Sequence, residues 1–152
     1  MMASSITGFG ANQIPAPIQG EVMEIREVLP KTNKKEYINK TITVEEYVRN
    51  YFSDIPVLVE VARCESRFRQ HDKYGNILRG EVNNLDVGVM QINEYYHEYD
   101  SDKLGYDIST IEGNTAYARY LYEKSGLKPW KSSSPCWNKS TAYAEYKELA
   151  VK

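Results

Sequence analysis

Asp86-Val87-Gly88-Val89-Met90-Gln91-Ile92-Asn93, taken with the upstream string Glu65-Ser66-Arg67-Phe68, decides how this chain is read. An acid stands two residues before a glycine, and glutamine and asparagine alternate with apolar residues. Gly88, lacking a side chain, lets another molecule approach closely. Gln91 and Asn93 both donate and accept hydrogen bonds, and Met90 offers an adaptable apolar surface. Such a set suits the lining of a polar groove; the alternative is that Gln91 and Asn93 only hold a lobe to the rest of the protein. Upstream, Ile55, Leu58, Val59 and Ala62 recur at helical spacing, with Asp54 as the expected N-cap and Pro56 in the first turn, predicting a helix to about Ser66. Glu65 then sits near a helix C-terminus among Ala62, Cys64 and Phe68. Both surroundings disfavour its charged form. Most helical glutamates are solvated surface groups, so Glu65 alone says little.

Outward from these strings the pattern is mostly helical. Thr43 with Glu46 is a capping box opening a helix over about 44–53, in which Val44, Tyr47, Val48 and Phe52 share a face. Turn residues between Arg69 and Leu85, Tyr74-Gly75-Asn76 and Asn83-Asn84, predict a small hairpin or irregular lobe. A short helix is expected over Met90 to about Tyr96, with another turn before Gly105. Ser109 with Glu112 opens a further helix, lined on one side by Tyr117, Ala118, Leu121 and Tyr122 and stopped by Gly126. Residues 127–139 read as a loop, and Ser140 caps a last helix with Ala142, Tyr143, Tyr146 and Leu149 inward. Residues 1–20, rich in Gly, Pro and small polar residues, read as a tail, followed by mixed text containing Pro30, Lys31, Lys34 and Lys35. The expected organisation is a flexible or poorly defined extension over 1–42 and one domain over 43–152. Its class is mainly α (α+β), a helical core with a small β-hairpin lobe.

Size and composition bound the function. A chain of 152 residues holds one core. With 41% hydrophobic and 26% charged residues it is an ordinary globular protein. A net charge of −2 argues against a nucleic-acid partner, which calls for a clustered basic face. No apolar run reaches the roughly 18 residues of a membrane span. The N-terminus as written lacks the basic and apolar regions of a signal peptide. Cys64 and Cys136 allow one disulfide, the alternative being two buried thiols. His71 and His97 have no companions at metal-ligand spacing, so no metal and no cofactor are implied.

Glu65-Ser66-Arg67-Phe68, Asp86 to Asn93, and Asn114-Thr115-Ala116-Tyr117-Ala118-Arg119-Tyr120-Leu121 together resemble the lysozyme-like superfamily. There, Glu-Ser-x-Phe at a helix end is followed by a hairpin, Asp-x-Gly-x-x-Gln-Ile-Asn and an Asn-x-x-x-Gly/Ala-x-x-Leu helix. The form Gly88-Val89-Met90-Gln91 is similar to the Gly-Leu-Met-Gln motif of SLT-type lytic transglycosylases, including small ones associated with secretion and conjugation machines. The resemblance covers about residues 54–137. It implies a lysozyme-like fold, with Glu65 as catalytic acid and Asp86 as the second carboxylate. Ser66, Gly88, Met90, Gln91, Asn93, Asn114, Tyr117 and Trp130 would bind substrate or orient the acid, Trp130 walling Glu65 unless it is an ordinary core residue. The implied activity is cleavage of the MurNAc–GlcNAc β-1,4 bond of peptidoglycan with formation of a 1,6-anhydro product. A lysozyme-type hydrolase using Asp86 and a catalytically silent peptidoglycan-binding module are the alternatives. Implied partners are peptidoglycan glycan strands and a cell-envelope secretion or conjugation complex; the implied location is extracytoplasmic (periplasm, cell wall or secreted), an export signal having been removed. The chain departs from larger relatives where they carry Ala-Tyr-Asn: it has Trp130-Lys131-Ser132-Ser133-Ser134-Pro135-Cys136-Trp137. The tyrosine that assists the acid there is unidentified, with Tyr117, Tyr120 and Tyr143 as candidates.

Overall fold

Thr43 ends one element and opens the next. In the computed structural model, which describes residues 20–28 and 37–150, it is the last residue of strand β2 (Tyr37–Thr43) and the N-cap of helix α1 (Val44–Tyr51). Its hydroxyl accepts the Glu46 N–H at 3.1 Å, satisfying one of the donors a helix start leaves open. Strand β1 (Val22–Val28) pairs antiparallel with β2, from Val22↔Thr43 to Val28↔Tyr37. Part of the stretch 1–42, expected as a poorly defined extension, is therefore a regular two-stranded ribbon. Its alternation, Met23 and Ile25 against Glu24 and Arg26, is short and set in charged text, so the period was too brief to stand out. The tail over 1–19 and the cluster of Pro30, Lys31, Lys34 and Lys35 lie outside the described residues.

Helix α2 (Pro56–Ser66) is buried on nearly every side, through Val57, Leu58, Val59, Val61 and Ala62. Its N-cap is Ile55, not Asp54, and no side chain caps it. Pro56 in the first turn has no N–H to satisfy, while the Asp54 carboxylate is held instead by Arg119 at 2.7 Å. The helix ends where Arg67 and Phe68 both take positive φ, 56° and 58°. A mostly irregular lobe follows, held by the bridges His71↔Ile77 and Arg79↔Val87 and the small pair β3 (Asp86–Val87) and β4 (Ile92–Asn93).

Several boundaries differ from the sequence reading. No helix starts at Met90; residues 88–91 form a turn, and α3 (Glu94–Lys103) starts four residues later, capped by Asn93. Helix α4 (Ile111–Ser125) is capped by Thr110, because the neighbouring Ser109 hydroxyl turns back to Asp107 at 2.6 Å. Residues 127–139 are not a bare loop but hold a 3-10 stretch (Lys128–Ser133) and helix α5 (Ser134–Trp137). Helix α6 (Thr141–Ala150) is preceded by Ser140, whose hydroxyl accepts the Tyr143 N–H at 3.1 Å, and packs Tyr143 and Tyr146 on the core edge while Leu149 is exposed. The protein is thus mainly helical with small antiparallel β elements. Its core joins Phe52, Leu58, Val61, Met90, Tyr117, Ala118, Trp130 and Trp137.

Candidate active site

The turn over residues 88–91 is built by buried polar side chains. Gly88 has φ +72°, and a Cβ there would lie 2.5 Å from Asn114 Nδ2 and 2.8 Å from Gln70 Oε1. Glycine is needed for both reasons. Asn114, fully buried on α4, accepts the Met90 N–H at 2.9 Å and donates to Val87 O at 3.0 Å and Ile108 O at 2.8 Å. Gln70 accepts the Val89 N–H at 2.8 Å and donates to Ser109 O at 2.8 Å. The Ser66 hydroxyl reaches Val89 O at 2.8 Å, and Trp130 Nε1 donates to Met90 O at 2.9 Å. Four side chains from separate parts of the chain therefore fix one turn. This corrects the expected roles of Gly88, Met90 and Asn114: all are buried in the support of the site and none lines either cleft, whereas Ser66, although buried, borders the larger one. Buried donors and acceptors must be paired, and the backbone of this turn is what pairs them.

What faces outward is a smaller set. Glu65, Asp86, Gln91 and Ser132 line two abutting clefts, of about 550 and about 210 Å³, that meet at the two carboxylates. The larger is edged by Arg67, Arg69 and Asn83, the smaller by Asn93, Tyr96, His97 and Trp130. Gln91 sits at φ +49° with its amide donating to Gly88 O at 2.9 Å, and Asn93 Nδ2 donates to Asp86 Oδ1 at 2.7 Å. The same oxygen accepts from Asn83 Nδ2 at 3.2 Å. Asp86 is thereby held in one orientation. Tyr117 does not reach a cleft; its buried hydroxyl meets His97 Nδ1 at 3.2 Å.

Glu65 is partly buried and its carboxyl is pushed above its ordinary value, first by burial and also by the Asp86 charge. The opposing influence is the Ser133 hydroxyl, which donates to Glu65 Oε1 at 2.6 Å. Ser133 Oγ also accepts from Trp137 Nε1 at 3.0 Å and lies 3.1 Å from Trp130 O. One hydroxyl proton faces two oxygens there. Donation to Glu65 favours the carboxylate and so opposes the two raising influences. Sequence reasoning missed Ser133, although it lies in the Trp130–Trp137 stretch; a serine, not a tyrosine, reaches the acid. Gln70, Asn83, Tyr96 and His97 were also missed as site residues, since neither spacing nor type distinguished them.

A disulfide joins Cys64 to Cys136, tying the last turn of α2 to α5 directly beside Glu65. Comparisons with protein-family models, curated proteins and solved structures gave no match. Among the described residues no group of three or more His, Cys, Asp or Glu could hold a metal ion, and no helix is long and apolar enough to cross a membrane.

Proposed function

We propose that this chain is a peptidoglycan lytic transglycosylase with a lysozyme-like arrangement. The observation that carries the reading is a carboxyl, Glu65, biased toward its neutral form where two polar clefts meet. Glycosidic cleavage needs such a proton donor near neutral pH. Glu65 protonates the oxygen linking MurNAc to GlcNAc, and the C1–O bond breaks. The resulting carboxylate takes the proton of the muramoyl C6 hydroxyl as that oxygen bonds to C1, closing the 1,6-anhydro ring and restoring the acid. Water is not consumed. Gln91 and Asn93 supply amides to the sugar, and Trp130 borders the smaller cleft. The chain order of acid at a helix end, β lobe and Asn114 helix supports the lysozyme-like reading. A disulfide beside the acid suits an extracytoplasmic location, next to an envelope-spanning secretion or conjugation complex.

A second reading, a retaining hydrolase, is favoured by Asp86: it is close enough to Glu65 to raise that group and is held firmly by Asn93 and Asn83. In retaining enzymes a second carboxylate about 5 Å from the acid captures or stabilises the glycosyl cation before water attacks. Mass analysis of muropeptides released from purified peptidoglycan separates the readings. Anhydro ends, lighter by one water, are the expected result; reducing ends would replace transglycosylation by hydrolysis, and no release would leave a binding module.

A further inference from the structure

The larger cleft does not end at Arg67 and Arg69. The same two residues also line a neighbouring cleft of about 660 Å³, walled by the N-terminal ribbon at Gly20, Glu21 and Thr43 and by residues 71–75. The acidic side chains of this second cleft are engaged. Glu21 accepts the N–H groups of Gln70 and His71 and meets His71 Nδ1 at 2.7 Å. Glu45 pairs with Arg49, and Asp72 accepts from the N–H groups of Tyr74 and Asn76. The arginines are not. Whereas Arg49, Arg63, Arg79 and Arg119 are ion-paired, Arg67 and Arg69 have no ion pair among the described residues. Arg69 spends only Nε, on Ser66 O at 2.9 Å. Consecutive positive φ values at Arg67 and Phe68 bury the phenylalanine and leave both flanking arginines exposed, a conformation that non-glycine residues adopt at a cost.

We infer that Arg67 and Arg69 form an anion site, continuous with the glycan groove, that takes the carboxylates of the peptide stem carried by the muramoyl residue. The inference rests on the glycan-cleaving reading for its substrate: a stem branches from the muramoyl residue of the strand, and the second cleft shares Arg67 and Arg69 with the groove that holds Glu65. Planar guanidinium groups suit carboxylates through paired N–H donors. Denuded strands, which lack the stem's carboxylates and keep only the lactyl carboxylate that amide hydrolysis leaves on the muramoyl residue, would be the poorer substrates.

Two measurements on the full chain test this. The first compares kcat/KM on peptide-bearing strands with that on strands stripped by an amidase, for the wild type and for Arg67→Gln/Arg69→Gln. The wild type is expected to prefer peptide-bearing strands about tenfold, and the double variant to bring that ratio near one. A wild-type ratio of one, or an unchanged ratio in the variant, overturns the inference. The second titrates an N-acetylmuramyl tetrapeptide and its fully amidated counterpart, followed by backbone amide NMR shifts of the residues lining the second cleft. Tighter binding of the free acid, lost in the double variant but partly kept in Arg67→Lys/Arg69→Lys, supports the site; equal affinity overturns it. Should neither strand be cut, the glycan-cleaving reading falls while the titration still decides the anion site.

Discussion

Glu65 stands under opposed influences, burial and the Asp86 charge pushing its carboxyl up and the Ser133 hydroxyl pulling it down. Removing that hydroxyl in Ser133→Ala takes away the lowering influence. Because cleavage by the proposed mechanism needs the protonated acid, the alkaline limb of the pH–rate profile is expected to move to higher pH; a limb that moves down or stays would show that Ser133 does not set the acid. Glu65→Gln keeps the shape but cannot give a proton, and should lower kcat on peptidoglycan by about a thousandfold. It also carries a stability signature. With its folded value raised above the ordinary 4.5, wild-type Glu65 contributes stability below that value and loses it as pH rises through the folded one. Glutamine does not titrate. The melting temperature of the variant relative to wild type should therefore climb as pH rises from the ordinary 4.5 through the raised folded value, as calorimetry would read.

Elements meet at the turn over 88–91, and their dependence on one another makes the site rigid. Asn114 on α4 pairs the buried Met90 N–H of the turn, the carbonyl of Val87 on its flank and the carbonyl of Ile108 ahead of α4. Asn114→Ala leaves them unsatisfied, and the expected loss is about 3 kcal/mol or more, seen as a lower urea midpoint. Loss of under 1 kcal/mol, roughly a single net hydrogen bond, would mean that water or neighbours replace the amide. The bridge between α2 and α5 closes a long loop, with Cys64 and Cys136 72 residues apart. On the chain-entropy model it is worth roughly 4 kcal/mol. Cys64→Ser/Cys136→Ser should lower the melting temperature by about 10 °C and slow cleavage, since α5 follows directly on the residue that holds Glu65. At this scale the sequence was legible where caps act within three residues, as at Thr43 and Ser140. It was misread at Asp54 and Ser109, where a distant arginine and a competing aspartate took the side chain.

Across the whole molecule, Arg119 joins α4 to the junction between α1 and α2, reaching both oxygens of Asp54 and the carbonyl of Tyr51. Its hydrogen bond holds the Asp54 carboxyl down at about 2. A depressed acid contributes stability above its unfolded value of 3.8 that is lost as pH falls through about 2. Arg119→Met keeps an apolar stem over the Tyr51 and Phe52 rings but removes the main influence that lowers Asp54. The expected result is a shallower fall of the melting temperature between about pH 4 and about pH 2; an unchanged slope would place acid sensitivity elsewhere. The N-terminal ribbon belongs to the same scale, because Glu21 fastens it to Gln70 and His71 and so to the support of the turn over 88–91.

By itself the sequence determined that helices start near Thr43, Pro56, Ser109 and Ser140, that one stops at Gly126, and that an acid lies at the end of the most apolar of them. These follow from periodicity and from side chains bonding their own backbone a few residues away, interactions complete within a short segment. The tertiary structure alone decided which polar residues face the groove. Asn114 and Gln70 turned inward to pair a backbone they could not meet in sequence, leaving Gln91, Asn93 and Ser133 at the site. The physical reason is that a buried polar atom must find a partner, and here the partners are set by how distant segments pack.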